Sequence, residues 1–524
     1  MCLTVTEAKA SVSSVSPRAA WLGLMATGLG TLAGGLSAQA QAMAGADLGG
    51  GFGLSADEAS WIQTAGSMAE VASVLIAAPL FAAVGGRRLV AGGALVTGMF
   101  ALLLTAAPAA TAPLLRAGHG FAMGMLTVAM MVWAMRAFPP QRRGLPLMLF
   151  AFASSAPTAL APQIAGWLTA HLGGRGVFYF DIIWALPVAG IAWACLPREP
   201  LAWPRLLGLD WLGYALLAGG SMALVAVLAQ GERRVWGAAP WIPAVATLAA
   251  ILIAAALTWM LATARSPLLD LALFLRPGFA IAIGEAFSLR FALLLASFAV
   301  PQALVRLAGF RVEQAGEAVL WMLGGQLLGF PLAWFWTRGL DARWALAAGL
   351  ALFAAAALWC SRLDAAWGAE QFVPALVAAG IGQGLFLTSV MTFVTHGLPA
   401  AAGATAAGLF NLTRVLGTAL ATCCVAVLLR VRENAHSARL GEGLTFGNDN
   451  LARWVEAMAA NHSQWSPDAA AASGAALGVL QGAAARQAFA LGFADVFLGI
   501  AAVLALFTVL VPLLPRLAPF QEGS

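Results

Sequence analysis

Long apolar runs broken by short polar links make up most of the chain, and each run has the length a helix needs to cross a hydrocarbon layer of about 30 Å. The runs fall at 21–43, 61–84, 89–108, 112–138, 144–172, 178–196, 210–230, 241–262, 279–303, 315–336, 343–361, 371–396, 404–430 and 490–513, which predicts fourteen membrane-spanning helices. The first run is too long for a cleaved signal peptide and is expected to stay as a span. Residues 55–88 show how the pattern sets a boundary. Ser55 and Glu58 have the S-x-x-E spacing of a capping box, Trp61 suits the headgroup level, and the run ends at Gly85, Gly86, Arg87 and Arg88. One acid interrupts it: Glu70 lies nine residues past Trp61, about 14 Å deeper and so close to the midplane.

The polar links orient the helices. Fourteen Lys and Arg, among them Arg87, Arg88, Arg142, Arg143 and Arg338, fall on the side of the N-terminal tail, against six in the short links opposite. The positive-inside rule then places both termini in the cytoplasm. The short link 138–144 after the fourth span is echoed by 398–404 after the twelfth, each leading into a small-residue helix. This reads as a duplicated six-span unit: a cytoplasmic tail 1–20, an N-terminal half 21–196, an inserted pair 210–262, and a C-terminal half 279–524. The one long polar segment, 431–489, is expected outside as a loop, with short amphipathic helices at 449–460 and 468–488.

Composition agrees with this picture and narrows the function. Of the 524 residues 61% are hydrophobic and 10% charged, which identifies an all-α integral membrane protein. There is no basic helix and no aromatic-basic interleaving for nucleic acid, and no Walker motif for ATP. The five Cys lie apart or adjacent within apolar runs, so no metal pattern or disulfide framework is offered. No nucleophile-base set is visible, so an enzyme, a metal and a cofactor are not expected. Gly380, Gly382 and Gly384 imitate part of a dinucleotide fingerprint, but within a span they read as helix-packing positions.

Charges inside the spans carry the candidate chemistry, because each centrally placed one costs at least about 2.5–3.5 kcal/mol. They are Glu70, Arg116, His119, Glu285, Arg290 and Arg414, with Asp181 and Asp495 near span ends. Glu285 and Arg290 are five residues apart, about 140° around a helix, and should find different partners. Arg116 and His119 share a face, beside a G-x-x-x-G at Gly120 and Gly124 that permits close helix approach. Purely structural pairing is the competing reading for each of these charges.

Several motifs together resemble the fourteen-span drug:proton antiporters of the major facilitator superfamily, in particular the inner-membrane pump of multidrug tripartite efflux systems. RAGHGFAMG (116–124) is similar to the family's R-V-x-Q-G-x-x-x-G, with His119 where glutamine is usual, and SAPTALAPQIAG (155–166) resembles its fifth-span antiporter motif. AGLFNLTRVLGTAL (407–420) resembles N-x-x-R-x-x-G, with Asn411, Arg414 and Gly417 matching, and the segment from RENAHSARL onward resembles the pump's outer loop. Two departures stand out. Ala33 falls near the place of the first-span aspartate, and PLFAAVGGRR (79–88) lacks the acid of the family's inner loop.

The resemblance implies a major facilitator fold of two six-helix halves with two inserted helices. It further implies export of small amphipathic molecules across the inner membrane by alternating access, coupled to protons. Glu70 is then the expected proton carrier in place of the missing aspartate, with Arg116 or His119 as its partner, and Glu285 is a second coupling candidate. Arg116, His119, Arg290, Asn411 and Arg414 are expected on the transport path or in structural pairs. The segment 431–489 is expected to dock a periplasmic adaptor leading to an outer-membrane channel. Two alternatives remain: a proton-independent facilitator or importer, and a membrane scaffold or sensor that transports nothing.

Overall fold

The structure is a computed structural model and describes residues 16–264, 267–398, 402–444, 449–463 and 469–517. Its helices are α1 (Pro17–Met43), α2 (Gly45–Phe52), α3 (Ala56–Val84), α4 (Gly86–Ala106), α5 (Ala112–Ala137), α6 (Gly144–Leu172), α7 (Val177–Cys195), α8 (Trp203–Leu207), α9 (Trp211–Gln230) and α10 (Trp241–Ala262). They continue as α11 (Pro277–Leu294), α12 (Val300–Ala308), α13 (Val312–Val319), α14 (Trp321–Gly339), α15 (Ala342–Cys360), α16 (Val373–Thr395), α17 (Gly403–Gly443), α18 (Asp449–Ser463) and α19 (Ala469–Thr508). Among the described residues, fourteen helical stretches are long and apolar enough to cross a membrane, as the apolar runs predict.

Local chemistry explains the boundaries. At the start of α3, Ser55 accepts from the Glu58 backbone N–H at 3.4 Å while the Ser55 N–H donates to the Glu58 carboxylate at 3.0 Å, so the predicted capping box forms. Gly85, at φ +90°, turns α3 directly into α4, a conformation that L side chains rarely adopt. The predicted span 279–303 is broken into α11, a π turn over Leu295–Ala299 and α12. Asp210 caps α9 through the Gly213 N–H and also accepts from Trp259 Nε1 at 2.9 Å, joining the inserted pair α9 and α10.

The segment 431–489 departs from the expectation of a loop with two short helices. Helix α17 runs on from its membrane span to Gly443, and α19 starts at Ala469, well before its own apolar run. At 1.5 Å per residue a helix of 41 residues is about 60 Å long, roughly twice the hydrocarbon thickness, so a helical hairpin projects beyond the spans. Strong helix formers follow Arg430 with no Pro to stop them. Asp495 on α19 fastens the pair by accepting from Arg432 at 2.6 Å and His436 at 2.7 Å on α17.

Packing repeats along the chain. In the first six spans α3 lies on α5, α4 on α7 and α1 on α6; in the last six α14 lies on α16, α15 on α19 and α11 on α17. Second meets fourth, third meets sixth and first meets fifth each time. The two sets meet along two matching seams, α3 with α17 and α6 with α13 and α14. Helix α9 touches α3 and α17 from outside. Small residues set the closest approaches: a Cβ on Gly380 would lie 2.8 Å from the Gln326 nitrogen, and one on Gly120 would lie 3.0 Å from the Gly66 Cα. The glycines of 380–384 are therefore helix-contact positions.

Candidate functional site

The seam between α3 and α17 is ionic. Arg414 Nη2 donates to Glu70 Oε1 at 2.7 Å and to Thr127 Oγ1 of α5 at 3.2 Å, while its Nε donates to Asn411 Oδ1 one turn earlier at 3.4 Å. Asn411 is itself anchored to the Ala407 carbonyl at 3.0 Å. The Glu70 and Arg414 side chains are only 15% and 21% exposed, so the pair is largely out of solvent. Breaking such a pair from one side leaves an unpaired charge and costs about 3–5 kcal/mol when burial is complete.

This geometry corrects the expected partner of Glu70. Arg116 rests one turn away against Gly66, and the charge that hydrogen-bonds Glu70 comes from a helix 344 residues further on. The reason is the close approach of α3 and α5. Gly66 leaves room for the Arg116 guanidinium, which a Cβ there would meet at 2.6 Å, and a Cβ on Gly124 would lie 3.0 Å from the Glu70 carbonyl oxygen. With that contact filled by backbone, the Glu70 side chain is directed out of the α3–α5 groove and across to α17.

Arg116 and His119 belong instead to a buried network inside the first six spans. His119 Nδ1 is 3.3 Å from Arg116 Nη1, and His119 Nε2 is 2.9 Å from Asp181 Oδ2. Asp181 also accepts from Gln41 Nε2 at 2.8 Å and from Trp184 Nε1 at 3.0 Å. All four of Gln41, Arg116, His119 and Asp181 are buried. Asp181, near a span end by position, thus lies at the centre of a cluster drawn from α1, α5 and α7. Gln41 was missed by the reading of charges alone; the amides Gln39 and Gln41 in an apolar first span were the available signal.

Glu285 and Arg290 are both buried on α11 and do point to different partners. Ser288 Oγ lies 3.4 Å from Glu285 Oε2, and Arg290 Nε donates to the Ala286 carbonyl at 3.3 Å. Glu285 Oε1 has no hydrogen-bond partner. Arg290 runs beside α17, its Cγ 2.8 Å from where a Cβ on Gly417 would sit. Asn411, Arg414 and Gly417 therefore form one stripe facing α3 at one point and α11 at another, while Glu285 and Glu70 stay in separate surroundings.

The second seam is built alike, but its matching contact is made by amides and a carbonyl. Gln326 on α14 donates to the Ser155 carbonyl of α6 at 3.3 Å and to Gln383 at 2.7 Å. Glu70 and Gln326 each lie fourteen residues after Ala56 and Val312, and Arg414 and Ser155 each lie eleven after Gly403 and Gly144. An acid-guanidinium pair on one seam corresponds to an amide-carbonyl contact on the other. Of these two matching contacts, only the first is an ion pair.

Comparison with known proteins agrees with the architecture. Residues 25–210 match the model of the Major Facilitator Superfamily. Among curated proteins the chain is 25% identical to the fatty acid resistance protein FarB of Neisseria gonorrhoeae over 478 residues, 91% of this chain and 92% of that one. It is 23% identical to the colistin resistance protein EmrB of Acinetobacter baumannii over 66% of this chain and 67% of that one, and 24% identical to the multidrug export protein EmrB of Haemophilus influenzae over 58% and 60%. Among solved structures it superposes on the proton:xylose symporter XylE bound to 6-bromo-6-deoxy-D-glucose with a TM-score of 0.56, at 12% identity over 95% of this chain and 96% of that one. An inward-facing, occupied bacterial homologue of the human lysosomal transporter Spinster gives 0.50 at 16% identity, over 96% and 99%.

Proposed function

We propose, from the premise that the chain belongs to the major facilitator superfamily, that it exports small amphipathic organic molecules across the inner membrane in exchange for protons. The observation that carries this reading is the half-buried Glu70–Arg414 pair, which joins the two six-span halves at a group able to take up a proton. Alternating access needs the halves to rock about their seams. A carboxylate that is ionised holds its arginine; a carboxyl that is protonated releases much of that hold. Proton loading at Glu70 is then the event that frees the α3–α17 seam, with Arg414 as the fixed charge and Asn411 and Thr127 keeping its fork in place.

One relative, aligned over 91% of the chain, is named for fatty acid resistance, so a fatty acid is the first substrate to try. Both termini are assigned to the cytoplasm on the arginine bias, fourteen against six. The α17–α19 hairpin, with α18 packed on α19, then projects into the periplasm, where it would dock an adaptor leading to an outer-membrane channel. The activity is transport rather than chemistry.

Purified protein in liposomes, loaded with a medium-chain fatty acid and subjected to an imposed pH gradient, should extrude it several-fold faster than without the gradient. Equal movement with and without the gradient would favour the facilitator reading. No movement under either condition, with normal insertion, would favour a scaffold or sensor.

A further inference from the structure

The Glu70–Arg414 pair uses one buried carboxylate; the Arg116–His119–Asp181 network lies apart from it and has a feature that the pairing alone does not explain. Arg116 can only donate, so its contact with His119 Nδ1 requires that nitrogen to be unprotonated. The ring is therefore the neutral Nε2–H tautomer, donating to Asp181. Asp181 receives three N–H groups, from His119, Gln41 and Trp184, the surroundings of an ionised carboxylate. A neutral imidazole thus bridges a buried guanidinium and a buried carboxylate.

We propose that His119 is a second proton-binding site of this transporter and that its protonation turns Arg116 from His119 towards Glu70. The proton adds to Nδ1 and forms an imidazolium; no other bond is made or broken, and Nε2–H stays on Asp181. The new Nδ1–H then faces an Arg116 N–H, donor against donor and cation against cation, so that contact is lost. Arg116 has somewhere to go. Its Nε is buried with no hydrogen-bond partner, and its guanidinium rests against Gly66, one turn from Glu70 on the same face of α3. There it would compete with Arg414 for the Glu70 carboxylate and loosen the seam between the halves. The first-span acid that the family resemblance leads one to expect would be replaced, in this chain, by a histidine-aspartate pair on α5 and α7.

The groups around His119 define what can influence it. They are Arg116 on its own helix, Asp181 and the Phe178 ring on α7, and Gln41 on α1. Helix α3 brings Glu70 beyond Arg116. Helix α4 carries no ionisable side chain after Arg88, and α6 none before His171.

The test deepens the export reading but needs no substrate. The chain has five His, so protein labelled with 15N-histidine in lipid nanodiscs shows few imidazoles, and the one missing in His119→Gln is His119. Expected is an Nε2–H ring at alkaline pH that becomes imidazolium on acidification within about pH 5–9. Its midpoint should fall by about one unit or more in Asp181→Asn and rise in Arg116→Gln. Spin labels at the ends of α3 and α17 should change separation with pH in the unsubstituted chain and stay fixed in His119→Gln. A ring that stays neutral throughout, a midpoint that neither variant moves, or a separation that changes equally in His119→Gln would each overturn the proposal. Gradient-independent fatty acid movement would contradict proton-driven export while leaving the histidine titration standing, so the two failures are distinguishable.

Discussion

Arg414 is held from three directions, by Glu70 across the seam, by Thr127 on α5 and by Asn411 on its own helix. Its planar fork spreads over those acceptors, whereas a lysine would offer a single point charge. Arg414→Lys should therefore keep partial transport, while Arg414→Ala, which strands Glu70, should lose it and lower stability by about 2 kcal/mol, less than for a fully buried pair because both side chains keep some exposure. Initial export rates and a thermal unfolding series check both halves of that statement; equal rates in the two variants would remove the fork from the account. At this scale the unusual residues were legible in the sequence, since Glu70, Arg116, His119, Glu285, Arg290 and Arg414 each stand out in apolar runs. Their partners were not. Glu70 and Arg414 are 344 positions apart, and Asp181 joins His119 only because α5 and α7 are brought together in the fold.

Most helix positions were legible to within a few residues, because membrane thickness and capping chemistry act locally. Hydropathy failed where a helix outlasts its apolar run. Proline-free sequence keeps α17 helical into the polar region and an Ala-rich stretch does the same for α19, and the Arg432–Asp495–His436 clasp joins the two at the base of the hairpin. That clasp separates what belongs to the transport core from what projects beyond it. Replacing residues 444–482 by a short Gly/Ser link leaves the clasp intact, and the account expects adaptor co-purification to be abolished while vesicle transport continues. Loss of transport as well would assign the hairpin tip to the core.

The whole molecule is two similar six-span sets joined by two similar seams that differ in the chemistry of their contacts. On the α6–α13 side backbone meets backbone: a Cβ on Gly166 would lie 2.8 Å from the Glu313 nitrogen, and one on Gly316 2.7 Å from the Gln163 nitrogen. Backbone cannot yield as a flexible side chain can, so Gly166→Leu should wedge this end of the seam open. Accessibility of a cysteine placed nearby should then rise and export should fall, whereas unchanged labelling would show that this contact does not close. On the other seam Glu70 stands in the position that Gln326 occupies in the second set, so an ion pair replaces an amide contact there. The duplication was legible as a faint echo of two links, but this charge asymmetry needed the packing to show which positions correspond.

Coupling through Glu70 is the claim on which the rest depends. Glu70→Gln keeps the size and hydrogen-bonding capacity of the side chain but cannot ionise, and Glu70→Asp keeps the titration. The direct measurement is substrate extrusion from liposomes against an imposed pH gradient, across a range of pH, for the unsubstituted chain and both variants. The account predicts gradient-driven extrusion in the unsubstituted chain, a reduced but still pH-dependent rate in Glu70→Asp, and no response to the gradient in Glu70→Gln. Gradient-driven extrusion by Glu70→Gln with an unchanged pH profile would contradict it.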